Sequence, residues 1–589
     1  MKTLAKYLKP YQFFILFSVF LIFLQCITQL LLPDLMAKMV DVGIVEGDVN
    51  YILRMGVYML VLTIASTICS ITAGYYISKT ASGFARFLRN DLFQKAAQFS
   101  LEEFDRFGTS TLVMRTANDV TQIQNVIMML LRVVVVSPLM FLGSIILMYQ
   151  KDVYLTGVVL LTIPFLFVFI FFVSRKMMPL MKLMQEKLDA LSRVLRNRLT
   201  GVRVIRAFNK ENAANKQYEE SNADLTNVSL TVNRIMAAVF PGMSFLMNLA
   251  VVAVLWFGSR RIAIDTFSVG DLMAFIQYVF LIMFSVVMLS LVFIIIPRAK
   301  VSSDRILEVL NTDDSLHDPL YDRSASENEQ KNSAAEFDIY PAVEFKNVSF
   351  RYSDFENDIL KNLSIQVPRG ETVAVIGVTG SGKTSLVNLI PRFYDVSVGS
   401  VFVNGKDVRS YSQADLRHKI GFVPQTAVLF SGTVAENIRY GKENASDDEI
   451  WQALEIAQAA DFVKQMELGL NAPISQDGTN VSGGQKQRLT IARAIVGKPQ
   501  IYIFDDNFSA LDYKTDALLR KALKENLGGA TIIIVAQRIS TIKDVSQIIV
   551  LDKGEIVGIG TNTELMQKSA VYRQIVASQT AEEGSHESK

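Results

Sequence analysis

Long apolar runs fill the first half of the chain and end near residue 300. Six of them, at 11–33, 51–78, 126–149, 154–173, 236–258 and 272–296, carry almost no charge. Each is long enough to cross a bilayer as a helix, which takes about 20 residues. Six such runs in the first 300 residues leave too little polar surface for buried helices of a water-soluble protein. The pattern therefore predicts an all-α membrane domain of six helices over 1–310. From residue 342 to 580 the pattern is that of an ordinary soluble α/β domain. Between the two, 311–341 is polar and acidic and reads as a linker with little fixed structure. A short polar tail, 581–589, closes the chain.

The connections orient the runs. The start, "MKTLAKYLKPY", spaces Lys2, Lys6 and Lys9 between Leu4, Tyr7 and Leu8 and reads as a short interfacial helix on the cytoplasmic side. The loop after the first run is acidic, and the loop after the third is only "QKD"; both belong outside. The long second and fourth connections are rich in basic residues, among them Arg86, Arg89, Arg175, Lys176, Arg203 and Arg206, and belong inside. Arg260 and Arg261 fall in the third outer loop, against this rule. Both inner connections read as helix, so spans 2 to 5 are expected to continue into the cytoplasm and turn at 104–120 and 200–211. The first run is too long for a signal-peptide core and lacks a cleavage-like end.

Composition excludes several classes. Half of the 589 residues are hydrophobic and a fifth are charged, with a net charge of +2; the mean hydropathy is +0.29. No general nucleic-acid partner is expected from that charge. Cys26 and Cys69 both lie in apolar runs and read as buried free thiols, and three histidines are too few and scattered for a metal cluster.

The chemistry lies in the second half. "VAVIGVTGSGKTSLVNLI" is an apolar strand, a G-x-x-x-x-G-K-[ST] loop and an amphipathic helix. Gly377 and Gly382 allow the tight turn that aims backbone N–H groups at phosphates, and the following helix adds its positive end. Lys383 is expected to reach the β- and γ-phosphates of ATP, with Thr384 on Mg²⁺. Thr379, Gly380, Ser381 and Ser385 complete the loop. "IYIFDD" is a second buried strand ending in Asp505, a second magnesium ligand. In "NVSGGQKQR", Ser482, Gly483, Gly484 and Gln485 open another helix and a second anion-binding end. Two phosphate-binding ends for one nucleotide suggest a head-to-tail pair of domains, each "SGGQ" closing on the ATP held by the other.

Taken in order, these motifs resemble the ABC exporters that have six spans and one nucleotide domain per chain. The resemblance implies that Tyr352 stacks on adenine, that Gln425 in "GFVPQTAVLF" is the Q-loop residue facing the membrane domain and ligating Mg²⁺, and that 509–512 is the D-loop. It further implies that 104–120 and 200–211 surround the two coupling helices. Three positions depart from the family pattern. Asp506 stands where a catalytic glutamate is expected, Gln537 in "IIIVAQRIS" where a switch histidine is expected, and Gln476 where a glutamate precedes the signature. Shortening the carboxylate by one methylene withdraws it from the water by about 1 Å, and a misplacement of that size costs about a hundredfold. Gln537 can donate a hydrogen bond but has no ionisable nitrogen.

Intact binding parts beside altered hydrolytic parts resemble the degenerate-site subunit of heterodimeric multidrug exporters of the LmrCD, EfrCD and BmrCD type. That resemblance implies a partner half-transporter carrying the Glu and His, export of hydrophobic or amphipathic compounds or lipids, and a place in the cell membrane with the N-terminus and nucleotide domain in the cytoplasm. The alternatives are a homodimer with two slow sites, a peptide or lipid exporter, and an ATP-gated or regulatory subunit that pumps nothing. Candidate cavity residues in the spans are Gln25, Gln29, Asn248, Gln277, Tyr278, Met283, Phe284 and Met288, because adaptable Met, aromatic and amide groups suit varied amphipathic ligands.

Overall fold

The computed structural model describes residues 3–264, 266–318, 340–352 and 356–586. Most of the sequence-read linker, and the last three residues of the tail, lie outside them. The chain divides into two compact units, residues 1–97 with 110–312, and residues 98–109 with 313–589.

Among its described residues, the first unit holds six helices long and apolar enough to cross a membrane. A short helical stretch, Thr3–Tyr11, comes first; its Tyr7 hydroxyl donates to Asp91 Oδ2 at 2.6 Å. Then come α1 (Gln12–Lys38) and α2 (Val49–Gln98), and, after two short helices named below, α5 (Val120–Lys151) and α6 (Val153–Thr200). After another short helix come α8 (Glu211–Ile262) and α9 (Val269–Asn311). At 50, 48 and 52 residues, α2, α6 and α8 are each more than roughly 70 Å long, over twice the hydrocarbon thickness. They therefore run far beyond the membrane, as the charged second halves of α2 and α6 and the charged first half of α8 require. Pro33, Pro138, Pro164, Pro179, Pro241 and Pro297 all sit inside helices, a placement that membrane spans tolerate.

The core of this unit gathers Leu155, Val254, Phe275, Tyr278 and Ile282, while Phe165, Phe171, Phe240 and Phe245 face outward. Several charges at the helix ends are paired. Lys151 bridges Asp34 at 2.8 Å and Asp271 at 2.5 Å. Arg261 donates through Nε and Nη2 to Asp152 Oδ2, at 3.1 and 2.7 Å, and the Arg260 guanidinium lies 5.3 Å from the Trp256 ring centre. Of the basic pair, Arg261 is thus paired with a carboxylate and Arg260 lies on an aromatic ring.

The short helices form the turns. α3 (Leu101–Phe107) and α4 (Thr109–Met114) follow α2, and α7 (Val202–Ala207) follows α6. Ser100 caps α3: its Oγ accepts from Glu102 N, and the Glu103 carboxylate accepts from Ser100 N. Gly108 closes α3 with a φ of +73°. The first reversal is centred here, earlier in the chain than the 104–120 window read from sequence, because the Ser-x-x-Glu cap and Gly108 fix both of its ends.

The second unit contains α3 and the α/β domain. One sheet has the order β2-β1-β4-β5, from β1 (Val343–Phe350), β2 (Leu360–Val367), β4 (Val398–Val403) and β5 (Lys406–Asp407). The other has the order β12-β11-β3-β10-β9-β6. Its strands are β3 (Thr372–Ile376), β6 (Ile420–Val423), β9 (Ile501–Asp505), β10 (Thr531–Ala536), β11 (Gln547–Asp552) and β12 (Glu555–Gly560). A small ribbon pairs β7 (Gly432–Thr433) with β8 (Pro473–Ile474). Strands β6, β9, β10, β3 and β11 run parallel, and β9 and β10 are buried along their whole length. Such a sheet is covered on both faces and reads as continuous apolar runs. Ligands of open parallel sheets bind beyond the carboxyl ends of the strands. Here those ends carry the residues of interest.

Candidate nucleotide site

Four adjacent strands deliver the site. β3 leads into the glycine-rich loop and helix α10 (Lys383–Asn388), β10 into Gln537, β9 into Asp505 and Asp506, and β6 into Gln425. The register sets Asp505 beside Val535 and Ala536 beside Ile376. Residues more than 100 positions apart in sequence thus meet along one sheet edge.

The loop is shaped by its backbone. Gly380 and Gly382 take φ values of +82° and +99°, which side chains strain to adopt. A Cβ at Gly377 would sit 2.1 Å from the Leu551 carbonyl oxygen, so that glycine is required by close approach. Lys383 is buried, and among the described residues its ammonium donates to two carbonyls, Gly377 O at 2.8 Å and Val378 O at 3.0 Å. Burial holds this ammonium below the ordinary lysine range, against the pull of the Asp506 and Asp505 carboxylates. Ser381 Oγ is buried without a hydrogen-bond partner. A buried cation with a donor to spare and an orphaned hydroxyl within one loop fit the anionic oxygens of a nucleotide phosphate.

The metal-binding residues fit equally well. Thr384 Oγ1 donates to Asp505 Oδ1 at 3.3 Å, giving two hard oxygens of the kind Mg²⁺ takes. Burial, and then the Asp506 charge, pushes the Asp505 carboxyl above the usual carboxylate range. Burial also raises Asp506. A divalent cation there relieves both costs. Magnesium would be held by Thr384 and Asp505, with Gln425 close by.

Asp506 and Gln537 are in direct contact. Gln537 Nε2 donates to Asp506 Oδ2 at 2.7 Å, and Gln425 Nε2 makes a long contact of 3.5 Å to the same oxygen. The Asp506 backbone is left-handed, with a φ of +53°, a conformation in which Asp is enriched. Gln537 is in turn pinned by Gln579, whose amide donates to Gln537 O at 2.5 Å and accepts from Ile539 N at 2.8 Å. Gln579 lies on the last helix, α13 (Ala570–His586). No motif marks it; only packing brings it here. Asn507, fully buried, donates to Pro424 O at 2.8 Å and ties the Asp506 turn to the residue before Gln425.

Tyr352 shares a hydrogen bond of 3.0 Å between its hydroxyl and Ser385 Oγ. Its ring packs edge-on to Phe350 at 4.8 Å and to Tyr394 at 5.0 Å. The "SGGQ" segment opens α11 (Gly483–Val496) with a complete capping box: Ser482 Oγ accepts from Gln485 N, and Gln485 Oε1 from Ser482 N. A Cβ on Gly484 would find Ala510 O and Leu511 as its neighbours. The signature therefore lies beside 509–512 of its own chain, with Ser482 and Gly483 exposed. Asp512 begins helix α12 (Tyr513–Asn526) as its cap.

The comparisons with known proteins follow this geometry. Residues 15–286 match the model of the ABC transporter transmembrane region, and residues 360–509 that of the ABC transporter. An uncharacterized ABC transporter ATP-binding protein of Mycobacterium tuberculosis is 38% identical over 580 residues, 98% of each chain. The chain belongs to the ABC transporter family. A second uncharacterized ABC transporter ATP-binding protein, YfiB of Bacillus subtilis, is 35% identical over 99% of this chain and 100% of its own. A bacterial Atm1-family ABC exporter solved with ATP bound superposes with a TM-score of 0.78, covering 96% of this chain and 99% of that one at 23% identity. That likeness concerns the fold: an exporter-type half-transporter, with a transmembrane domain of six helices fused to an α/β nucleotide-binding domain. It is a membrane translocase of the ATP-hydrolysing kind.

The membrane unit of this ABC transporter has a partly open cavity of about 490 Å³. Gln29, Gln277, Phe284 and Met288 line it, as do Phe280 and Ser137. Two other candidates read from sequence, Tyr278 and Met283, are outside this lining and 0% and 1% exposed. Tyr278 donates to Leu30 O at 3.1 Å and packs against the neighbouring helices. Gln25 and Asn248 are outside this lining, Gln25 half-buried and Asn248 exposed on α8.

Proposed function

We propose that this chain is one half of a heterodimeric ABC exporter and holds its slowly hydrolysing ATP site. The single observation carrying this reading is the 2.7 Å hydrogen bond between Gln537 Nε2 and Asp506 Oδ2. The two positions that depart from the hydrolytic pattern bind each other. Asp506 is too short to reach an attacking water, and the oxygen it offers is already engaged by an amide that cannot take up a proton. Magnesium-bound ATP supplies the phosphoryl group that passes to water. The chain's own residues bind and orient: Lys383, the loop N–H groups and Ser381 take the phosphates, Tyr352 takes the adenine, and Thr384, Asp505 and Gln425 take the metal. Ser482, Gly483, Gly484 and Gln485 complete the site on the partner, which carries the Glu and His.

The cargo is a hydrophobic or amphipathic compound, a drug or a lipid. Support comes from the cavity, whose lining combines two amides, Phe and Met without a charge. The basic inner connections favour a cytoplasmic nucleotide domain and N-terminus, with export outward across the cell membrane. Coupled purification tests the assembly. The chain alone retains ATP with little turnover, and phosphate release appears when a half-transporter with Glu and His is added. Vigorous ATPase from the chain alone would point to a homodimer and overturn the asymmetric reading.

A further inference from the structure

Tyr394 belongs to no motif singled out in the sequence, yet it stands between the nucleotide residues and α3. It follows α10 by a few residues, in "LIPRFYD", and is buried against Phe350 at 5.6 Å and Tyr352 at 5.0 Å. Its hydroxyl donates to Asp105 Oδ2 at 3.0 Å. Asp105 is on α3. That helix is stiff for its size. Its cap ties Ser100 to Glu103, Glu103 Oε1 accepts from Ser315 N at 3.0 Å, and Phe99 stacks on Phe107 at 5.6 Å. On the other side, Tyr352 is tethered through its hydroxyl to Ser385 of α10.

We propose that Tyr394 is a positioning residue that carries adenine occupancy at Tyr352 to the coupling segment through Asp105. The inference rests on the reading of Tyr352 as the adenine platform. A base laid on one face of the Tyr352 ring fixes its tilt. The perpendicular Tyr394 ring, wedged by Phe350, follows that tilt, and its hydroxyl lever ends on a carboxylate of α3. The link to Asp105 is charge-assisted and directional, so small rotations of the phenol change it sharply. Burial, reinforced by the Asp105 charge, pushes the phenol well above its ordinary value, so it remains a donor at any physiological pH. Triphosphate without a base would fill the glycine-rich loop and leave this lever unmoved.

Hydrogen exchange of the 98–109 backbone in the full chain, reconstituted in lipid discs, tests this. The three conditions are no ligand, magnesium ATP and magnesium tripolyphosphate. ATP is expected to slow exchange in α3 several-fold, and tripolyphosphate to leave it unchanged. Tyr394→Phe keeps the ring and binds ATP as before, but loses the slowing. Asp105→Ala, which removes the acceptor, loses it equally, and the double variant loses nothing more. An α3 that ignores ATP in the unaltered chain, or that responds fully in Tyr394→Phe, overturns the proposal. Tyr352→Ala separates the underlying reading: it should weaken ATP and spare tripolyphosphate. If it spares both, the adenine platform fails and the relay with it. If it weakens ATP while Tyr394→Phe keeps its response, the relay alone fails.

Discussion

Restoring the hydrolytic pair gives the sharpest test of how the nucleotide site works. Asp506→Glu adds one methylene, about 1 Å of reach, and recovering a misplacement of that size is worth about a hundredfold, or about 2.7 kcal/mol. Two features of the structure oppose the single change. Gln537 Nε2 is already 2.7 Å from the Asp506 carboxylate, so a longer side chain collides with it unless Gln537 yields. The backbone at 506 has a φ of +53°, and the left-handed region costs a non-glycine residue roughly 1 kcal/mol, less for Asp than for Glu. Asp506→Glu alone should therefore gain little. Asp506→Glu with Gln537→His removes the collision and supplies a group that can hold or release a proton. Its net gain is about 1–2 kcal/mol, or roughly tenfold in rate. The pair should be non-additive, as contacting residues are. Phosphate release in a single turnover of the assembled transporter measures it, with ATP affinity as the control. A double variant that binds ATP but hydrolyses it at the unaltered rate would show that carboxylate reach and the switch residue do not limit this site.

Two further changes probe the coupling turn and the cavity. Burial pushes Glu103 up, but hydrogen bonds from Ser100 and Ser315 outweigh it and hold the carboxyl below its ordinary range. Its stabilisation is thus complete above the unfolded value of about 4.3 and is lost as pH falls through the lower folded value. Glu103→Gln should lower the melting temperature at neutral pH, by the equivalent of about 1 kcal/mol, and flatten the decline on the acid side; parallel melting curves would count against it. In the membrane unit, Phe284→Ala should change which amphipathic compounds are moved, as read by a panel of dye-efflux rates. Tyr278→Phe should leave that selectivity intact and cost about 1 kcal/mol of stability, because it loses only the bond to Leu30 O; altered selectivity from Tyr278→Phe would contradict its burial.

The six spans, the P-loop and the order of the motifs were legible because each depends on local pattern. An apolar run of span length, or a glycine-rich turn between strand and helix, states its own physics. Asp506 and Gln537 were legible as departures, one residue type at a time. Their hydrogen bond was not, since it depends on β9 and β10 lying side by side in a sheet whose order no local signal gives. Gln579 and Tyr394 went unread for the same reason: an amide on the last helix and one tyrosine among nineteen acquire roles only from what packs against them. The cavity shows the limit most plainly. Tyr278 and Phe284 sit on one helix, six residues apart, and one is core while the other lines the cavity. In water a polar face reveals which side of a helix is buried. In a membrane span both sides are apolar, so the choice between packing residue and cavity wall belongs to the neighbouring helices, and only the tertiary structure makes it.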